Sequence, residues 1–154
     1  MTKMYKPSIL LVEDSETMRR FLALFLSKKY AVTTCASAEE AIAQIEGGFR
    51  PNLIVTDLEL PGMSGLQLIQ ALSKSLPFTP LLVLSGVKES KARIEALAAG
   101  ADDFLTKPFH PAELDVRIGK LLRRSEVGQN APNWAEGISH FFRKNLAQGF
   151  QQAF

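Results

Sequence analysis

The sequence predicts an α/β fold in which a five-stranded parallel sheet carries helices on both faces, and two observations support this prediction. Short, nearly uninterrupted apolar runs recur along the chain, as is typical of strands buried on both faces. They lie at Ile9–Val12, Tyr30–Thr34, Leu53–Thr56, Leu81–Leu84 and Phe104–Leu105. Segments with helical periodicity separate these runs, and right-handed crossovers then give an open, doubly wound sheet.

The helices are predicted from the spacing of apolar residues and from residues that favour helix ends. Ser37 with Glu40 is typical of a capping box for the second helix, and Ser64 is a candidate N-cap for the third. Gly100 is expected to end the fourth helix in a left-handed conformation, and Pro111 to open the fifth. The expected inward-facing residues are Met18, Phe21, Leu22 and Phe25, then Ala41, Ile42 and Ile45, then Leu66, Ile69 and Leu72, then Ile94, Leu97 and Ala98, and finally Leu114, Ile118 and Leu121.

Length and composition limit the class of protein. At 154 residues, with 46% hydrophobic and 22% charged residues, the chain fits one folded domain and a short appendage. A net charge of +2 and the lack of a long basic tract argue against direct nucleic-acid binding. The apolar run before Glu13 is too short for a signal peptide or a membrane span, and the single Cys35 suits a reducing compartment. We therefore expect a cytoplasmic protein.

Chemically active residues follow the predicted strands at the points where the strands end. Glu13 and Asp14 follow the first strand, Asp57 the third, Ser85 the fourth and Lys107 the fifth. In a doubly wound sheet these ends lie along one edge, where ligands bind. Three adjacent carboxylates repel one another unless a cation joins them, and Mg²⁺ prefers such oxygen ligands. With a lysine and a hydroxyl beside them, this set of residues predicts a pocket in which a carboxylate attacks a phosphoryl group.

The same residues, in order and strand position, resemble the signature of receiver domains in two-component signalling. Residues 57–65 (Asp-Leu-Glu-Leu-Pro-Gly-Met-Ser-Gly) resemble the phosphoacceptor loop of that family. Residues 100–109 resemble its last strand and the turn after it. The resemblance extends over about residues 7–124 and implies a flavodoxin-like sheet of strand order 2-1-3-4-5.

The resemblance implies roles for individual residues. Asp57 would be the phosphoacceptor, receiving its phosphoryl group from a sensor histidine kinase or a phosphotransfer protein. Glu13, Asp14, Asp57 and the backbone carbonyl of Glu59 would hold Mg²⁺. Lys107 would pair with the phosphoryl group. Such a chain is a signalling switch rather than an enzyme in its own right.

The resemblance also implies how the phosphorylated state is transmitted. Ser85 and Phe104 would form a switch pair, in which the hydroxyl moves to the phosphoryl group and the aromatic ring turns inward. Pro108 would follow a cis peptide bond that directs the lysine before it. The output face would comprise the fourth helix, the fifth strand and the fifth helix, near Lys88–Ala99 and Phe104–Arg124.

The last part of the chain has a separate pattern. We expect a receiver domain over residues 1–124, a linker from Ser125 to Pro132, and an amphipathic helix after Asn133. Apolar residues recur there at four-residue steps, at Trp134, Ile138, Phe142, Leu146, Phe150 and Phe154. Three interpretations remain open: packing on its own receiver or on a second copy as a homodimer, docking on a downstream partner, or the stub of a longer effector.

An enzyme of a different class is the main alternative. Aspartyl-phosphate phosphatases also use an aspartate nucleophile and Mg²⁺ on a related α/β layout. Their nucleophile usually follows the first strand and has Asp two residues later, whereas here Asp57 follows the third strand and Glu59 stands at that spacing. The chain also lacks the phosphate loop of a flavodoxin-like flavin binder and a Walker-type nucleotide loop.

Overall fold

The structure is a computed structural model that describes residues 4–129, with side chains through Glu126. Its strands are β1 (Ser8–Val12), β2 (Ala31–Cys35), β3 (Leu53–Asp57), β4 (Leu81–Ser85) and β5 (Asp103–Thr106). Its helices are α1 (Glu16–Leu26), α2 (Ala38–Glu46), α3 (Gly65–Ser75), α4 (Ser90–Ala99) and α5 (Pro111–Gln129). Every predicted strand is present with its limits within one residue, because continuous apolar runs mark buried strands well.

The five strands form one parallel sheet in the order β2-β1-β3-β4-β5, which confirms the predicted doubly wound topology. Successive side chains of a strand point to opposite faces, so each central strand serves two cores. Leu10 and Val12 pack with α2, α3 and α4 on one face, while Ile9 and Leu11 pack with α1 and α5 on the other. The carboxyl ends of β1, β3 and β4 therefore lie side by side at one edge of the sheet.

Several local predictions about helix ends are confirmed. Ser64 caps α3 in a reciprocal capping box with Gln67, and Gly100 follows α4 with a positive φ of 130°. Ser37 accepts a hydrogen bond from the Glu40 N–H as predicted. The second half of the predicted α2 capping box is wrong, because the Glu40 carboxylate accepts from the N–H of Ala36 rather than from that of Ser37.

The predicted inward faces hold for α5 and fail in part for α1 and α4. Leu114, Ile118 and Leu121 are buried as expected. In α1 the buried residues are Leu22 and Leu26, whereas Phe21 is 49% exposed. In α4 only Ala96 is buried, while Ile94 and Leu97 are 38% and 41% exposed. An amphipathic period does not distinguish the centre of an apolar stripe from its flank, and here the flanks face solvent.

The predicted linker is wrong at its beginning. Helix α5 continues to Gln129, so residues 125–129 are helical rather than extended. This stretch contains Gly128, but a single glycine costs a helix only about 1 kcal/mol relative to alanine. Residues 130–132 and the predicted amphipathic helix lie outside the described residues. Between residues 4 and 129, no helix has both the length and the apolar character needed to cross a membrane.

Candidate functional site at the carboxyl edge of the sheet

Three carboxylates meet at the carboxyl edge of the sheet, as the sequence predicts. Glu13 follows β1 and is 2% exposed, Asp57 ends β3 and is 5% exposed, and Asp14 is exposed at the rim. One oxygen from each lies within 4.8 Å of the others. The pairing of Val12 with Thr56 across β1 and β3 brings the ends of the two strands to the same level. These carboxylates form a pocket open to solvent on the Asp14 side.

Lys107 bridges the two buried carboxylates. Its Nζ lies 2.7 Å from Glu13 Oε2 and 2.7 Å from Asp57 Oδ2. Its backbone N–H donates to the carbonyl of Ser85, which fixes the end of β5 against the end of β4. The Lys107–Pro108 peptide bond is cis, as predicted.

Burial and charge act in opposite directions on the ionisable groups of the pocket. Burial raises the pKa of Glu13 above its usual range, and the hydrogen bond and charge of Lys107 offset this only in part. Burial by itself would lower the pKa of Lys107, but hydrogen bonds from its ammonium group to Asp57 and Glu13 outweigh it and raise that pKa. Lys107 therefore remains a cation at neutral pH.

The charge of the pocket fits a divalent cation. Lys107 pairs with two of the three carboxylates, Glu13 and Asp57, so these four groups carry a net charge of −2 when all the acids are ionised. The donor set consists of carboxylate oxygens, with one carboxylate at the solvent rim where waters could complete the coordination, and Mg²⁺ binds through such ligands. The residues present therefore fit Mg²⁺, with Glu13, Asp14 and Asp57 as side-chain ligands.

Hydrogen bonds hold the acidic residues in place. The Glu59 N–H donates to Asp57 Oδ1 at 3.0 Å, and the Ser15 N–H donates to Glu13 Oε1 at 3.1 Å. Arg19 reaches back from α1, and its Nη1 donates to the backbone carbonyls of Glu13 at 2.9 Å and Asp14 at 3.3 Å. Sequence reasoning missed Arg19, because no pattern signals that a side chain will bind backbone carbonyls five and six residues before it.

The close packing behind Asp57 depends on a glycine. A Cβ at Gly65 would lie 2.5 Å from the Cα of Leu58 and would also overlap the backbone oxygen of Asp57. Because these are backbone atoms, they have little room to move aside. Gly65 thus allows the first turn of α3 to pack directly against the end of β3, next to the carboxylate.

The two predicted switch residues lie on β4 and β5, whose ends border the pocket. Ser85 is fully buried, and its Oγ accepts a hydrogen bond from the Val87 N–H at 3.1 Å. Phe104 pairs with Val83 across β4 and β5 and is 3% exposed, so its ring already points into the core. The guanidinium carbon of Arg93 in α4 lies 5.8 Å from the centre of that ring. The structure thus connects the end of β4, the aromatic ring of β5 and helix α4.

Comparisons with known proteins agree on this arrangement. The family described as "Response regulator receiver domain" matches residues 9–119. Protein PetR of Rhodobacter capsulatus is 41% identical over 118 residues, which are 77% of this chain and 49% of that protein. The two-component response regulator PhoP of Pseudomonas aeruginosa is 41% identical over 118 residues, 76% of this chain and 52% of that protein. This chain thus spans about half the length of these relatives.

Solved structures agree with the sequence relatives. A CheY-like response regulator receiver domain protein from Methanospirillum hungatei superposes with a TM-score of 0.75 at 30% identity. The superposition covers 79% of this chain and 98% of the other. These comparisons give no support to the alternative of an aspartyl-phosphate phosphatase.

Proposed function

The chain belongs to the family of response regulator receiver domains of two-component systems, and from this premise we propose that Asp57 is its phosphoacceptor. The observation that carries the proposal is the geometry of one carboxylate. Asp57 is 5% exposed, lies in a cluster with Glu13 and Asp14 that could hold a metal ion, and accepts a hydrogen bond from the Lys107 ammonium group. A sensor histidine kinase or a phosphotransfer protein is the proposed donor.

In the proposed reaction an Asp57 carboxylate oxygen attacks phosphorus. A bond forms between that oxygen and phosphorus while the bond from phosphorus to the donor histidine nitrogen breaks, and the product is an acyl phosphate. Lys107 Nζ, 2.7 Å from Asp57 Oδ2, donates to a phosphoryl oxygen and offsets its added charge. Glu13, Asp14, Asp57 and the carbonyl of Glu59 would hold Mg²⁺, which when bound neutralises charge on the transferring group.

The proposed output begins at Ser85. Its hydroxyl, now an acceptor for the Val87 N–H, would rotate to donate to a phosphoryl oxygen. Loss of the hydrogen bond from the Val87 N–H would free the turn between β4 and α4. The Phe104 ring and helix α4 would then change position. The α4–β5–α5 surface is the proposed face through which the phosphorylated state is recognised.

Intact mass after incubation with acetyl phosphate and Mg²⁺ tests the proposed chemistry. We expect one phosphoryl adduct on the wild-type chain, no adduct on Asp57→Ala, and loss of the adduct when a chelator removes Mg²⁺. A wild-type chain that stays unmodified, or an Asp57→Ala chain that is still modified, would overturn the assignment. Rapid turnover of added phosphoesters would favour the phosphatase instead.

The cytoplasm is the proposed location of the protein.

The apolar segment 133–154 is proposed to mediate self-association. Its apolar residues at four-residue steps would otherwise meet water, which is unfavourable for a stripe that includes Trp134 and Phe142. Light scattering of the full chain and of a chain ending at Gln129 tests this. A dimer that becomes a monomer on truncation supports the homodimer, and a monomer in both cases removes it.

A further inference from the structure

The phosphoacceptor loop, residues 58–64, is held by hydrogen bonds at both ends. At its start the Glu59 N–H donates to Asp57 Oδ1 at 3.0 Å. At its end the Gly65 N–H donates to the carbonyl of Leu58 at 3.0 Å, and Ser64 forms the capping box of α3. These hydrogen bonds are all local to residues 57–67, so they do not attach the loop to the rest of the domain.

A side chain from another helix holds the loop near its end, at Met63. Glu39 lies in the first turn of α2, and its Oε1 accepts a hydrogen bond from the Met63 N–H at 2.8 Å. In the part of the chain that the structure describes, this is the one hydrogen bond from a side chain outside residues 57–67 to the loop backbone. It joins residues 24 positions apart in the sequence, so it fixes the loop relative to the rest of the domain.

The loop backbone is shaped to receive this carboxylate. Gly62, just before Met63, has a φ of 72°, which turns the chain sharply. A Cβ at Gly62 would lie 2.7 Å from Glu39 Oε1, so the carboxylate occupies the space that a side chain would fill. The hydrogen bond from the Met63 N–H is also the largest cause that lowers the pKa of Glu39.

We infer that Glu39 is a positioning residue for phosphoryl transfer: by holding Met63, it steadies the loop that carries Glu59, whose backbone carbonyl is a proposed Mg²⁺ ligand. This inference rests on the proposed function. Glu39 lies outside the cluster of Glu13, Asp14 and Asp57 and binds the loop backbone, so it would act through the loop. Residues that orient metal ligands from behind commonly affect metal affinity as well as activity.

The neighbouring glutamate provides a matched control. Glu40 carries the same charge in the same turn of α2, and its carboxylate also binds a backbone N–H, that of Ala36. Among the described residues, its hydrogen bond goes to Ala36 and not to the loop. Glu39→Ala and Glu40→Ala thus remove equal charge from the same turn, and each removes a hydrogen bond to a backbone N–H of another residue. Glu39 also interacts with its own backbone N–H and with the Ser37 side chain, but only Glu39→Ala releases Met63.

The experiment measures, on the full chain, the Kd of Mg²⁺ by calorimetry and the rate of labelling by acetyl phosphate at fixed Mg²⁺. For Glu39→Ala we expect the Mg²⁺ Kd to rise about threefold to tenfold, the effect of losing one ordinary hydrogen bond. Glu39→Gln retains an oxygen acceptor and should recover most of the affinity. Glu40→Ala should bind Mg²⁺ like the wild type, and the Tm without Mg²⁺ checks that each variant is folded.

Two results would overturn the inference. One is a Glu39→Ala chain that binds Mg²⁺ and is labelled like the wild type; the other is an equal loss in Glu40→Ala. A wild-type chain that neither binds Mg²⁺ nor accepts a phosphoryl group would contradict the proposed function itself. The failure of the inference and the failure of the function are therefore distinguishable.

Discussion

Helices α3 and α4 follow neighbouring strands on the same face of the sheet, yet they are attached to it very differently. Helix α3 buries Leu68, Ile69 and Leu72 and starts with a reciprocal capping box. Helix α4 buries only Ala96, and no side chain caps its first turn at Glu89. The helix behind Asp57 is thus firmly anchored, while the helix that follows Ser85 buries little of its surface.

This difference suits a switch. A rigid α3 keeps Asp57 and its loop in one geometry, so phosphoryl chemistry does not have to reorganise the site. A weakly packed α4 can be displaced at a small free-energy cost, and coupling between sites in proteins typically amounts to about 1–3 kcal/mol. The region expected to respond to phosphorylation is therefore the one that contributes least to the core.

The largest expected effect comes from truncating one leucine in each of the two helices. Leu68→Ala in α3 removes a fully buried side chain and should lower the free energy of unfolding by about 2–5 kcal/mol. Leu97→Ala in α4 removes one that is 41% exposed, so its effect should stay near 0.5 kcal/mol. Urea denaturation of both variants measures the contrast, and equal losses would show that α4 is anchored as firmly as α3.

A smaller effect is expected from the helix caps. Ser64→Ala deletes the side chain that caps α3 and should cost about 1 kcal/mol of stability. Glu89→Ser places a good capping residue where α4 has no capping side chain and should add stability, by at most about 1 kcal/mol. Thermal denaturation should show a lower Tm for the first variant and a higher Tm for the second. A lower Tm for Glu89→Ser would contradict this account of the start of α4.

The smallest expected effect involves the contact between α4 and the aromatic ring of β5. Arg93 lies over the Phe104 ring, and Arg93→Ala should cost about 0.5–1 kcal/mol. Amide hydrogen exchange should accelerate in α4 and stay unchanged in α3. Lys91→Ala is the matched control, because the ion pair of Lys91 with Glu95 is exposed and long at 3.9 Å. Accelerated exchange in α3, or unchanged exchange in α4, would contradict the proposed contact between Arg93 and the Phe104 ring as a support of α4.

The sheet and the site residues are predictable from sequence because both depend on local signals. Apolar runs locate the strands, and polar residues directly after them mark the edge where Glu13, Asp57 and Lys107 meet. The contributions of Arg19 and Glu39 are not predictable, because each binds backbone groups that carry no sequence signature. The exposure of Leu97 in α4 depends on which part of the apolar stripe faces the sheet. The helical period alone does not determine this.

The most direct test of the central claim is to locate the phosphoryl group on the chain. Borohydride reduces an acyl phosphate to an alcohol, so a phosphorylated Asp57 becomes homoserine, which tandem mass spectrometry of the digested chain can assign to one residue. After incubation with acetyl phosphate and Mg²⁺, we predict homoserine at position 57 and unchanged acids at Glu13, Asp14 and Glu59. A reduced residue at any of those three positions, or none at all, would contradict the assignment of Asp57 as the phosphoacceptor.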